Sequence, residues 1–277
     1  MAYYENKEKG LYLNVNIGQL ASGNILKDHI VFITGAAGGI GSAIAKKCVN
    51  QGAKVVLADK DIVRLKELEN ELGNNSRAIC FDIREISKFG AILKRADLYF
   101  GNIDCLINNA GISLHEGDFM NVTEDSWDQQ FDINLKSAFF LTQAWVRYYR
   151  CKKMMSGRII MMASDTSGMG SSVPYGLSKA GVSSLTCGLA KKLITEGIRI
   201  NALAPGMTLT PMTRDYTHGE VCRTTTQGKR SLFPEEIAEI CIFLLSDMSA
   251  CISGNIFGCS EANICFDNIC REQETNP

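Results

Sequence analysis

The chain has 277 residues, 45% hydrophobic and 21% charged, with a formal net charge of −1. That length buries one large core, and the near-neutral charge gives no electrostatic case for nucleic acid or an anionic membrane as partner. Eleven cysteines are an odd number, scattered without C-x-x-C pairs, a pattern that fits reduced thiols in the cytoplasm better than a disulfide framework or a metal site.

Residues 1–27 read as an N-terminal extension. Its first ten residues, MAYYENKEKG, are polar and charged, unlike a signal peptide. The apolar patches Leu11-Tyr12-Leu13 and Ile25-Leu26 suit either packing on a neighbouring surface or a frayed tail. No apolar run is long enough to span a bilayer. Residues 28–277 read as one domain, a cofactor half over about 28–112 and a catalytic and substrate half over about 113–277. Strands are expected at 30–34, 54–58, 77–81, 104–107, 157–163 and 198–203. Helices are expected at 40–51, 61–72, 85–100, 124–152 and 176–196, with a last one over 237–245 opened by Pro234-Glu235-Glu236. Regular alternation of this kind predicts an α/β fold: one Rossmann-type, doubly wound parallel sheet with helices on both faces. Cys48, Cys187 and Cys241 fall among apolar helical neighbours, where cysteine acts as a small hydrophobe.

The run Ile30-Val31-Phe32-Ile33 is short, apolar and β-rich, and Thr34-Gly35 then begins a glycine turn that opens a helix at Ile40-Gly41. Strand, glycine turn and helix place a pyrophosphate on backbone N–H groups at a helix N-terminus. Gly35 permits the tight turn, Gly39 a close approach of backbone to phosphate, and Gly41 close helix–strand packing. The spacing G-x-x-x-G-x-G differs from the standard dinucleotide fingerprint. Asp59 ends the second strand, where a carboxylate meets the adenosine ribose hydroxyls and repels a 2′-phosphate by about 4 kcal/mol at an effective dielectric near 20. NAD is therefore expected over NADP, with Lys60 the dissenting cation.

Tyr175 and Lys179 are spaced i, i+4 and share a helix face. An ammonium beside a phenol favours the phenolate, and bringing a tyrosine from about 10 to neutral pH takes roughly 4 kcal/mol. Such a tyrosine exchanges protons near pH 7.

Together these segments resemble the short-chain dehydrogenase/reductase family over most of the chain. Thr34-Gly35-Ala36-Ala37-Gly38-Gly39-Ile40-Gly41 matches its TGxxxGIG cofactor motif, and Asn108-Asn109-Ala110-Gly111 its NNAG motif. Asn134, Ser164, Tyr175 and Lys179 match its catalytic positions. Pro205-Gly206 with Thr210, and Thr208 between them, matches the PGxxxT segment beside the nicotinamide. Asp82 resembles the family's adenine-edge residue, with Ile83 lining the adenine pocket. Gly38 stands where NADP-dependent relatives often carry a basic residue.

The resemblance implies hydride transfer between a nicotinamide cofactor and a secondary alcohol or ketone. Tyr175 is then the base, lowered in pKa by Lys179, which also binds the nicotinamide ribose. Ser164 polarises the substrate oxygen and Asn134 holds a water that links Lys179 to solvent. A homotetramer or homodimer is implied, pairing the helices near 124–152 and 176–196. Two features depart from the pattern. Ser164 lies eleven residues before Tyr175, with Ser167, Ser171 and Ser172 as rivals, and the usual glycine pair after the last strand is replaced by Cys259-Ser260-Glu261-Ala262.

The loop 211–229 reads as a substrate lid. Arg214, His218, Arg223 and Lys229 either meet an anionic or hydroxyl-rich substrate or face water, and the same choice holds for His115 and Glu116. Met169 and Met212 suit an adaptable apolar wall or plain packing. Three readings follow: an NAD-dependent alcohol dehydrogenase, a 3-oxoacyl-acyl-carrier-protein-type ketoreductase, and a non-catalytic dinucleotide-sensing protein.

Overall fold

The seven strands that run through the molecule are all parallel, which forces every connection between them to cross a face of the sheet. The computed structural model describes residues 2–15 and 17–263. Its elements in order are β1 (Ala2–Asn6), β2 (Leu11–Val15), β3 (Ile30–Thr34), α1 (Gly39–Asn50), β4 (Lys54–Asp59) and α2 (Ile62–Leu72). Then come β5 (Ser76–Cys80), α3 (Phe89–Phe100), β6 (Cys105–Asn108), α4 (Glu124–Phe131), α5 (Ser137–Cys151) and β7 (Gly157–Met162). The chain continues through α6 (Pro174–Leu193), β8 (Ile198–Pro205), α7 (Arg214–Thr217), α8 (Pro234–Leu245) and β9 (Ile256–Cys259).

The sheet order is β5-β4-β3-β6-β7-β8-β9. Successive side chains of a strand face opposite sides, so each strand feeds two cores. Val31, Ile33, Val55 and Leu57 pack under α1, α2 and α8, whereas Ile30, Phe32 and Val56 pack under α3, α5 and α6. This is the expected doubly wound α/β fold. The strand order reverses between β3 and β6, and the crevice outside their carboxyl ends is where such sheets bind ligands. Thr34 stitches that crevice: its Oγ1 donates to the Ile107 carbonyl at 3.2 Å and accepts from Asn109 N and Ala110 N.

Four local features add to the expectation or differ from it. The helix expected over 124–152 carries a widened π-helical turn at Asp132–Lys136, between α4 and α5. The extension forms an antiparallel hairpin, β1 with β2. It lies on the segment before α8, with Lys9 Nζ 2.6 Å from Glu220 and the Tyr4 ring 6.0 Å from Phe233. The chain then returns along α1, where Lys47 and Gln51 donate to the Leu20 and Ala21 carbonyls and Leu26 is fully buried. The strand β9 extends the sheet beyond β8. Finally, Cys48 and Cys241 are buried in the apolar core but Cys187 is exposed. Burial pushes the Cys48 thiol well above its ordinary value.

Candidate active site

The glycine turn after β3 is shaped by two close approaches. Gly35 has φ +65°, and a Cβ there would lie 2.9 Å from the Asn109 Nδ2 and from the Ala110 Cα. A Cβ on Gly41 would lie 2.1 Å from the Gly35 carbonyl oxygen. Asn109 explains the tightness, since its Nδ2 donates to the carbonyls of Thr34 and Gly35. The helix α1 opens at Gly38 with no side-chain cap, so the first N–H groups of the helix are left for a ligand. A cradle built this tightly fits the pyrophosphate of a dinucleotide.

One cavity of about 440 Å³ runs from this helix end toward α6. Its wall contains Gly35, Gly38, Gly39, Ile40, Asp59, Asn109, Ala110 and Gly111, and farther on Ser164, Tyr175, Lys179, Pro205, Gly206, Thr208 and Thr210. The Asp59 carboxylate accepts from Ala37 N and Asp61 N, each at 3.1 Å. It therefore braces the glycine turn as well as facing the cavity.

The remaining adenosine-side residues are not gathered there. Lys60 is outside the wall, and Arg64, on the first turn of α2, is the cation that lines it. Asp82 also stands outside; it is locked in an ion pair with Arg84 at 2.6 Å, which holds its carboxyl below the usual range. Ile83 packs against the core instead. The short Asp–x–Arg turn closes on itself, which composition alone did not reveal.

At the other end, the i, i+4 spacing on α6 brings the Lys179 Nζ within 5.8 Å of the Tyr175 ring centroid. Lys179 is fully buried and donates to the Met162 carbonyl at 2.8 Å. Burial pulls its pKa down to about 8. The neighbouring Lys179 does not bring Tyr175 below its ordinary value in this arrangement. Tyr175 lies above its ordinary value: burial raises it, the Ser164 hydrogen bond lowers it, and the Asp165 carboxylate raises it again.

Ser164 is the serine in the wall; Ser167, Ser171 and Ser172 are not. Its Oγ donates to Asp165 Oδ1 at 3.2 Å and accepts from Thr166 N. Asn134 sits in the π-helical turn, where its Oδ1 accepts from Ile112 N at 2.8 Å and its Nδ2 donates to the Ile112 carbonyl and to Ser178 Oγ. With both amide hydrogens committed to protein, the side chain positions the 111–112 backbone rather than holding a water by its Nδ2. Gly111 is pinned beside it, since a Cβ there would lie 3.2 Å from the Lys179 Nζ.

The basic side chains Arg214, His218, Arg223 and Lys229 of the loop 211–229 stand outside the wall. Arg223 is used internally, donating to the Tyr216 carbonyl at 2.7 Å. His115 lines the cavity, contacts the Tyr216 ring at 4.5 Å and meets the Met212 carbonyl at 3.1 Å. Glu116 pairs with Gln130. Met212 is in the wall and Met169 is not. Asp165, Thr166, Met207, Tyr216 and Arg64 also line the cavity; adjacency to Ser164 was the only sequence signal for the first two. Among the described residues one cluster, His29, Asp104 and Cys105, brings three metal-type ligand atoms within 4.8 Å, at the opposite strand ends, where Arg158 approaches Asp104 at 3.4 Å.

A doubly wound sheet with a bare helix end and a tyrosine–lysine pair on one cavity defines a Rossmann-type oxidoreductase. The family model described as enoyl-(acyl carrier protein) reductase matches residues 35–260. A galactitol 2-dehydrogenase of Agrobacterium fabrum is 37% identical over 184 residues, covering 66% of this chain and 71% of that one. A 3-oxoacyl-[acyl-carrier-protein] reductase of Thermotoga maritima is 33% identical over 242 residues, covering 84% and 96%. The crystal structure of a 3-ketoacyl-(acyl-carrier-protein) reductase from Brucella melitensis complexed with NADH superposes with a TM-score of 0.81 at 27% identity, covering 86% of this chain and 99% of that one. The chain belongs to the short-chain dehydrogenase/reductase family. It is an NAD(P)-dependent oxidoreductase acting on CH–OH groups.

Proposed function

We propose that the protein is an NAD-dependent dehydrogenase of secondary alcohols in which Tyr175 is the acid–base and Ser164 the group that polarises the substrate oxygen. The observation that carries this reading is the shared cavity, which joins the uncapped start of α1 to the side chains of Ser164, Tyr175 and Lys179. When bound, the oxidised nicotinamide supplies the acceptor for the hydrogen and electron pair that leave the carbinol carbon. Tyr175 takes the hydroxyl proton, and Ser164 stabilises charge developing on the oxygen. Lys179 holds its proton only below about pH 8, so it can pass one on near neutrality. Asn134 fixes the backbone that flanks Lys179.

NAD over NADP is supported by the Asp59 carboxylate in the wall and by the NADH bound in the Brucella neighbour, against the exposed Arg64 guanidinium. The ketoreductase reading is favoured by the names of two relatives. It calls for cations at the cavity mouth, and the four basic side chains of the loop 211–229 stand elsewhere. A cytoplasmic location fits nine unpaired cysteines among the described residues. Among those residues no helix is long and apolar enough to cross a membrane. A homotetramer or homodimer fits the exposed Phe139 and Phe140 on α5, beside Leu185 and Leu189 on α6; sedimentation equilibrium showing only monomer would remove that part.

The experiment is NADH appearance with a panel of alcohols, run for the native protein and for Tyr175→Phe. The variant should lose turnover by about 10²–10⁴-fold while still binding cofactor. Unchanged turnover in the variant defeats the assignment of Tyr175.

A further inference from the structure

The substrate end of the cavity carries a buried carboxylate that the chemistry so far does not use. Asp165 is 8% exposed and lines the wall immediately after Ser164. Its Oδ1 lies 3.2 Å from Ser164 Oγ, a spacing comparable to that of the two oxygens in a vicinal diol. Its Oδ2 is gripped by Asn263 Nδ2 at 2.9 Å, from the segment beyond β9 where the usual glycine pair is missing. A Cβ on Gly206 would lie 3.2 Å from the same oxygen, so the carboxylate is seated against the backbone beside the nicotinamide segment.

A carboxylate can accept at up to four positions, and among the described residues Ser164 Oγ and Asn263 Nδ2 fill two. Among the described residues no lysine or arginine is paired with it. Of the lysines and arginines in the wall, Lys179 donates to the Met162 carbonyl, and Arg64 stands at the Asp59 end beside Asp61. A buried carboxylate without a cation is costly and is expected to meet a donor. When the single Ser164 proton turns to the reacting oxygen beside Tyr175, Asp165 Oδ1 loses that donor, and the one that replaces it is carried by the neighbouring carbon.

Resting on the dehydrogenase reading above, we propose that Asp165 reserves this site for alcohols bearing a second hydroxyl on the carbon next to the one oxidised, vicinal diols and polyols, and rejects substrates with a carboxylate there. In the reaction the carbinol carbon gives its hydrogen with both electrons to the oxidised nicotinamide, and its hydroxyl proton goes to Tyr175. The C=O bond forms, leaving a hydroxyketone. The second hydroxyl donates to Asp165 throughout and is unchanged. Asn263 acts as a positioning residue for Asp165.

The test compares kcat/KM with NAD for a vicinal cyclohexanediol, for cyclohexanol, and for cyclohexanol carrying a carboxylate in place of the second hydroxyl. The diol should exceed cyclohexanol by about 10- to 100-fold, the value of a hydrogen bond to a charged group. The carboxylate analogue should fall at least about 100-fold below cyclohexanol through like-charge repulsion. In Asp165→Asn the preference for the diol should shrink toward unity, and Asn263→Ala, which keeps the carboxylate but frees it, should reduce the preference in part. Cyclohexanol or the carboxylate analogue turned over as well as the diol overturns this inference alone. So does a loss in Asp165→Asn that is equal for diol and cyclohexanol, or confined to the KM for NAD. No turnover of any of the three overturns this inference, and silence across the wider alcohol panel with cofactor bound rejects the dehydrogenase reading as well.

Discussion

Replacing Lys179 by methionine should make the protein inactive and, at neutral pH, more stable. The side chain is fully buried, and burial alone takes its pKa from 10.5 to about 8. At about 1.36 kcal/mol for each pH unit, the buried ammonium costs the native state about 3 kcal/mol at pH 7. The hydrogen bond from Nζ to the Met162 carbonyl, 2.8 Å long, returns about 1 kcal/mol that methionine forfeits. The net gain is about 2 kcal/mol, or a Tm rise of about 4–8 °C for a chain of this size. The sign with pH is fixed by the same numbers. Between about pH 8 and pH 10.5 the unfolded lysine keeps a proton that the folded one has lost, so native stability climbs with pH and the advantage of Lys179→Met disappears. Urea unfolding of both proteins at pH 7 and pH 10 reads the difference directly. A variant less stable than the native protein at pH 7, or a gap equal at the two pH values, would refute the account of a desolvated lysine.

Gly41→Ala places a Cβ 2.1 Å from the Gly35 carbonyl oxygen; the turn must shift, and NADH affinity by fluorescence titration should fall by at least about tenfold. Asp59→Ala removes both the ribose-facing carboxylate and the acceptor for Ala37 N and Asp61 N. Its ratio of kcat/KM for NADPH over NADH should rise about tenfold or more, with a stability loss of about 1–3 kcal/mol; a native protein that already prefers NADPH would contradict the reading of Asp59. Since Tyr175 lies above its ordinary value and acts as phenolate, kcat/KM for alcohol oxidation should increase with pH from 7 to 9. A decline over that range would remove Tyr175 as the base.

Much of the site is legible in one dimension because its parts are local. Gly35 and Gly41 flank a single turn, and Tyr175 and Lys179 are one helical turn apart on α6, so short-range geometry fixes each pair. The alternation of buried runs such as Ile30–Thr34 with amphipathic helices likewise determined the parallel sheet. What the tertiary structure decided depends on residues far apart in the chain and on burial summed over many neighbours. Arg64 rather than Lys60 lines the cavity, and Asp82 is held in an ion pair with Arg84. The direction in which Tyr175 titrates is set by its surroundings, not by the spacing to Lys179. The hairpin β1–β2 finds its place on a segment some two hundred residues away, through Lys9 and Glu220. The same holds for Asp165 and Asn263, which are 98 residues apart in the chain and meet because β9 lies beside β8. A linear pattern carries the period of each element, whereas the charge and wetness of a cavity are properties of what the packed elements bring together.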